Sequence, residues 1–113
     1  MYELSWTGSA YVFASIHDFT GADGGAYPTS EVLVEPSGVL YGTAGNVYKL
    51  VPNGSTYTFA IVFEFPNGEP ETGFDPRGGL IEDSSGALYG TTYYGGTGKA
   101  CRQRCGVVYK IIQ

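Results

Sequence analysis

The sequence predicts an all-β protein made of two copies of a four-stranded antiparallel unit, and three observations carry that prediction. The chain of 113 residues holds 10 tyrosines and 18 glycines and no periodic run of Leu, Ala, Glu and Lys, a balance that favours strands joined by tight turns. It is also internally repeated. Tyr2 to Phe19, YELSWTGSAYVFASIHDF, aligns without a gap with Tyr48 to Phe65, YKLVPNGSTYTFAIVFEF. Pro28 to Thr43 (PTSEVLVEPSGVLYGT) matches Pro76 to Thr91 (PRGGLIEDSSGALYGT), and NVYKL at Asn46 to Leu50 returns as VVYKI at Val107 to Ile111. Finally, Asp-Gly, Asn-Gly, Ser-Gly and Gly-Gly pairs, the turn chemistry of hairpins, separate the apolar runs. Four strands in a repeat of about 45 to 50 residues is the arithmetic of a β-propeller blade.

The elements follow in order. Tyr11 to Phe19 alternates and reads as a long outer strand, with Met1 to Trp6 before it as the relic of a preceding inner strand. Val32 to Glu35, Val39 to Thr43 and Val47 to Val51 are three inner strands, followed by a second outer strand, Tyr57 to Phe65. Gly79 to Asp83, Ala87 to Thr92 and Gly106 to Ile112 repeat the inner three. Residues 1–113 are thus one domain, with repeat 1 at about 2–47, repeat 2 at about 48–108 and the start of a third copy at 109–113. Such a strand order makes two four-stranded antiparallel blades only if the first outer strand completes the last inner three. Two blades cannot close a circle, and an unpaired edge exposes a ladder of amides. A homo-oligomer is therefore expected in which the outer strand clasps a neighbouring copy, most simply a trimer closing a six-bladed ring, with four chains and eight blades next. The alternative is a monomeric two-sheet β-sandwich.

The net charge of −5, with six Lys and Arg scattered along the chain, offers no basic stripe for phosphates, so nucleic acid is not an expected partner. No run approaches the ~18 to 20 apolar residues of a membrane span, so no membrane partner is expected, and MYELSWTGS lacks the basic and apolar regions of a secretory signal. The expectation is either a cytoplasmic protein or a chain that lacks its export segment.

The second copy supplies Phe65, Asn67-Gly68, Pro76, Leu80-Ile81, Asp83, Gly86, LYGTT from Leu88 to Thr92, Gly95-Gly96, and then Gly106, Val108, Tyr109 and Lys110. This pattern resembles the tandem repeats of the choice-of-anchor GloVer type, and the resemblance covers almost the whole chain. The first copy departs from it: Glu35 stands where Asp is usual, YGTAG lacks the second Thr, and the Gly-Gly loop is missing. The resemblance implies NHL-like β-propeller blades in a bacterial surface or secreted protein, and no common activity.

The residues able to do chemistry are few. His17 is the only histidine; its alternation with Tyr11, Phe13, Ser15 and Phe19, and its repeat partner Phe63, mark it as a packed or interface residue. Asp23, Asp75, Glu82 and Asp83 sit in or beside turns, where carboxylates cap backbone amides. No D-x-D-x-D-G loop, G-x-S-x-G elbow, Walker loop or H-E-x-x-H is present, so no catalytic residue, metal or cofactor is expected, a calcium ion held by Asp75 or Asp83 with loop carbonyls being the lesser alternative. The repeated Tyr-Gly-Thr at 41–43 and 89–91 reads as a structural requirement. Cys101 and Cys105 enclose RQR without the further ligands of a zinc site, which points to a small disulfide stapling a loop, and with it to an oxidising, secreted or cell-surface setting; two free thiols are the alternative.

Tyr93 to Cys105 is an insertion that the first copy does without. Tyr and Arg are common on contact surfaces; a decorated turn is the plainer reading. The leading expectation is a non-catalytic binding or scaffolding module that recognises a glycan or a protein. Trp6, Tyr27, Tyr93 and Tyr94 would stack on sugar rings, and Arg102 and Arg104 would hold acidic groups. The alternatives are a fragment of a propeller enzyme of sugar lyase or lactonase type, and a purely structural repeat.

Overall fold

In a computed structural model that describes residues 1–66 and 70–113, nine strands form three antiparallel sheets, and no α-helix occurs among the described residues. Strands β1 (Tyr2–Trp6) and β2 (Tyr11–Ser15) make a hairpin. Strands β3 (Leu33–Val34), β4 (Leu40–Thr43), β5 (Val47–Asn53) and β6 (Thr56–Phe63) form a four-stranded meander in chain order. Strands β7 (Ile81–Glu82), β8 (Leu88–Thr91) and β9 (Val108–Ile111) form the third sheet. A 3-10 turn lies at Pro70–Thr72. The expected turn at Asn67-Gly68 falls outside the described residues.

The all-β class matches expectation, and the three inner strands at 32–51 pair with the outer strand that follows them as one four-stranded sheet; the partition into two four-stranded units does not hold. The segment expected to be the relic of a preceding inner strand is a strand, Tyr2–Trp6. It pairs with β2 over five residue pairs, from Tyr2↔Ser15 to Trp6↔Tyr11, because aromatic pairs on one face, Tyr2 with Phe13 and Trp6 with Tyr11, each at 5.1 Å between rings, hold the two strands together. The third sheet accordingly has three strands. The outer strands are also shorter than their alternation suggests: β2 ends at Ser15, and the chain beyond turns so that Ile16 and Phe19 cover the neighbouring sheet. A bulge between Val47 and Tyr48 shifts the β5–β6 register and places Tyr48 opposite Ile61.

The packing repeats as faithfully as the sequence. One face of the four-stranded sheet, with Leu40, Tyr48 and Leu50, packs under Met1, Ile16 and Phe19. Its other face, with Tyr41 and Val47 beside Leu33 and Val62, packs with Phe65 against Leu88, Tyr109 and Ile111 of the third sheet and Leu80 just before it. Phe19 meets Tyr48 edge-on at 5.0 Å, and its repeat counterpart Phe65 meets Tyr109 in the same manner at 5.2 Å. The sheets therefore stand in a row, each laid face to face on the next. The radius of gyration of 15.9 Å exceeds the about 13 Å expected of a compact chain this long, and extents of 56 × 30 × 22 Å show the row is elongated.

The recurring Tyr-Gly-Thr has a specific physical cause. Gly42 pairs with Tyr48 and Gly90 with Tyr109 across adjacent strands, and each tyrosine ring lies where a side chain on the glycine would be. The glycine makes room for an aromatic ring, rather than for the close approach of another strand. Burial pushes the Tyr109 hydroxyl up to about 12 and raises that of Tyr48, since a phenolate loses its hydration there.

Candidate functional site

The insertion after β8 folds into a braced loop. Thr92, buried, accepts the Val107 amide proton at 3.0 Å on Oγ1 and donates to the Tyr94 carbonyl at 2.8 Å. The Phe74 and Tyr94 amides and carbonyls pair at 3.1 and 3.3 Å, with their rings stacked at 5.3 Å. Gly95 N–H donates to Gln103 O and Gly106 N–H to Gly95 O, at 3.0 and 2.9 Å. Cys101 and Cys105 form a disulfide with a Cα separation of 5.3 Å, as expected. Arg104 N–H closes the turn inside it on Cys101 O at 3.2 Å, with Arg104 itself at φ 66°, a conformation that a non-glycine residue keeps only when its surroundings hold it.

These braces bring Tyr93, Tyr94, Arg102, Arg104 and the disulfide around one open cleft of about 660 Å³. Four of the six expected ligand-binding residues are thus together. The other two are elsewhere. Trp6 sits on the exposed face of the β1–β2 hairpin, and Tyr27, 89% exposed at φ 53°, flanks a separate depression beside His17 and Phe19. One residue was missed. Arg77 lies 4.5 Å from the centroid of the Tyr93 ring and bonds Asp75 at 2.7 Å, and Tyr93 N–H donates to Asp75 O at 3.0 Å. Its signal in the sequence is slight, since Arg77 stands 16 positions before Tyr93 and only the fold closes that gap. Among the six Lys and Arg of an acidic chain, Arg77, Lys99, Arg102 and Arg104 all belong to this loop or touch it.

His17, Asp23 and Asp83 are held in local contacts. The His17 ring stacks on Phe59 at 4.4 Å and 3° and meets Phe19 edge-on, with Nε2 at 3.0 Å from Asp23 Oδ2. Partial burial works to raise the Asp23 pKa, but the Gly25 amide and His17 outweigh it and the net shift is downward. Asp83 caps its turn: Oδ1 accepts from the Ser85 hydroxyl at 2.6 Å, the Ser85 amide at 2.9 Å and the Ala87 amide at 3.1 Å, and Oδ2 accepts from Tyr89 at 2.8 Å. Gly86, at φ 83°, completes that turn.

The Ser85 hydroxyl first, then Tyr89 and the Ala87 amide, hold the Asp83 carboxyl far below the ordinary carboxylate range. A depressed pKa means that the unfolded chain takes up this proton first, so the stabilisation is complete above the unfolded value of about 3.9 and is lost as pH falls below it. The wild-type urea midpoint is expected to drop on acidification from about pH 5 to pH 2, and more steeply than that of Asp83→Asn. Parallel acid limbs for the two chains would show that the turn carboxylate contributes nothing.

Among the described residues no three His, Cys, Asp or Glu side chains are grouped to hold a metal ion, and no helix is long and apolar enough to cross a membrane. Comparison with known proteins gives no match: no family model fits the chain, and no curated protein or solved structure matches it significantly.

Proposed function

We propose that the chain is a non-catalytic binding and scaffolding module whose inserted loop recognises an acidic carbohydrate. The observation that carries this reading is the cleft of about 660 Å³ in which Tyr93, Tyr94, Arg102 and Arg104 converge around a disulfide. Aromatic rings offer sugar C–H faces a flat apolar surface, and guanidinium groups offer carboxylates paired donors. The first repeat has no such loop and the second does, so the loop is an addition to a unit that folds without it. The disulfide suits an oxidising, extracellular-type setting. In the same reading the repeats are GloVer-like propeller blades, and copies associate head to tail, with three chains the simplest ring.

An array of acidic and neutral oligosaccharides tests the ligand class. Uronate-bearing glycans are expected to bind the disulfide-intact chain in a salt-sensitive way, with Tyr93→Ala and Arg102→Ala each weakening binding about tenfold, as loss of an aromatic or charged anchor does. Binding that is equal for neutral glycans, or absent for acidic ones, removes the acidic carbohydrate and leaves a protein ligand as the reading to pursue.

A further inference from the structure

We infer that the two end faces of the row are the two halves of one interface, by which the β1–β2 hairpin of one copy docks on the β7–β9 sheet of another. This rests on the assembly part of the reading above, not on its ligand. Each sheet has two distinct faces, and within the chain the same pair of faces meets twice. At the first junction Met1, Ile16 and Phe19 lie on Tyr48 and Leu50. At the second their repeat counterparts Val47, Val62 and Phe65, joined by Tyr41 and Leu33, lie on Tyr109, Ile111, Leu88 and Leu80. What remains is one unmatched face at each end of the row, and these two are the complementary kinds.

The hairpin presents Tyr2, Leu4 and Trp6 opposite Ser15, Phe13 and Tyr11 on one side. Their counterparts are Tyr48, Leu50 and Pro52 opposite Ile61, Phe59 and Tyr57, in the same register. Tyr48 is 1% and Leu50 0% exposed; Tyr2 and Leu4 are 62% and 54% exposed, and Trp6, Tyr11 and Phe13 are as open. At the other end, the outward face of the third sheet carries Ile81, Tyr89, Thr91 and Val108, with Lys110 beside Tyr89 as Lys49 stands beside Tyr41 on the equivalent face of the middle sheet. Val108 is 79% exposed where its counterpart Val47 is 0%, and Thr91 is exposed where Thr43 is 1%. A repeat unit cannot bury its apolar face alone and does so by stacking on a neighbour. The neighbour that each end face fits is another copy of the same unit, placed as the units inside the chain are placed. Because the two faces differ, the contact is heterologous, and each copy keeps one face for the next.

This docking works through faces. The expected clasp works through an edge, with β2 of one copy completing the sheet beside β9 of another, but β2 is already hydrogen-bonded to β1, and taking it would displace β1 or insert β2 between β1 and β9.

Light scattering after size exclusion, at high micromolar concentration, tests the interface with two surface variants, Leu4→Lys and Val108→Lys. Both positions are exposed in the single chain, so neither variant should perturb its folding, which circular dichroism monitors. Wild type is expected to exceed the monomer mass of 12.0 kDa, with Trp6 emission shifting to the blue as its face is covered. Each variant alone is expected to associate at least tenfold more weakly. Mixed in equal amounts, the two are expected to form a dimer and stop there, since each still has the face that the other needs. A wild-type chain that stays at 12.0 kDa overturns the proposal. So does a mixture that stays monomeric while wild type associates, or association that survives both substitutions and is lost only on removal of residues 1–6, which would mark the edge as the contact. Glycan binding by the Leu4→Lys chain, whose cleft is untouched, separates failure of this interface from failure of the ligand reading.

Discussion

Leu50→Ala is expected to destabilise the chain by about 2–5 kcal/mol, and Leu4→Ala, the same substitution at the equivalent place in the preceding hairpin, by no more than about 0.5 kcal/mol. Leu50 is 0% exposed and Leu4 is 54% exposed, although both follow the repeat's Tyr by two positions and pair with a phenylalanine across the strand, Phe59 and Phe13. Removing Leu50 leaves a cavity among Leu40, Ala44 and Tyr48 with Met1, Ile16 and Phe19 over it, and a close-packed core fills such a gap only in part. Removing Leu4 from dilute monomer takes away a side chain that water already reaches. Urea unfolding followed by far-ultraviolet circular dichroism reads the difference as a fall of about 1 to 3 M in midpoint for the first variant and almost none for the second. Equal losses would mean that the hairpin is covered within the single chain, and the row of sheets would be wrong. The comparison must be made at low micromolar concentration, because the proposed docking would bury Leu4 and give its loss a cost.

Gly42→Ala is expected to cost about 1–3 kcal/mol, the range for forcing extra volume into a packed core. A Cβ on Gly42 would stand 2.6 Å from Tyr48 Cζ and 3.0 Å from its Cε1, and the ring has nowhere to go: Tyr48 is 1% exposed, with Phe19 at 5.0 Å and Phe59 at 5.8 Å. Gly90→Ala should behave alike, since its Cβ would reach 2.5 Å from Tyr109 Cζ and 2.9 Å from Leu80 Cδ2. The cause is space and not backbone conformation, so shrinking the ring should undo part of the loss. In a double-mutant cycle Gly42→Ala is expected to cost clearly less in a Tyr48→Leu background than in wild type, with a coupling of at least about 0.5 kcal/mol. Additive costs would assign the glycine some other role.

The candidate site was legible to the extent that its residues are neighbours in the chain. Tyr93, Tyr94, Arg102 and Arg104 all belong to the segment that one repeat has and the other lacks, and a braced loop of that length holds its own side chains together. Trp6 and Tyr27 share only residue type with them, and residue type does not place a side chain; the fold sets them on other surfaces. Arg77 is the converse case, carried to Tyr93 by the Phe74–Tyr94 pairing.

The sequence by itself determined the strands, the turns and the repeat, because each is written in short-range terms: alternation along a strand, glycine where a turn or a ring demands it, and the same residues recurring copy after copy. Alternation also set which residues share a face of a strand, while the cross-strand partners, Leu4 with Phe13 and Leu50 with Phe59, came from the register of the fold. Only the tertiary structure decided which faces are covered. Tyr2 and Tyr48, or Val108 and Val47, occupy nearly identical local sequence and differ from largely exposed to almost wholly buried. Local sequence cannot encode that difference, because burial belongs to a pair of surfaces and depends on whether a neighbouring sheet is there to lie against.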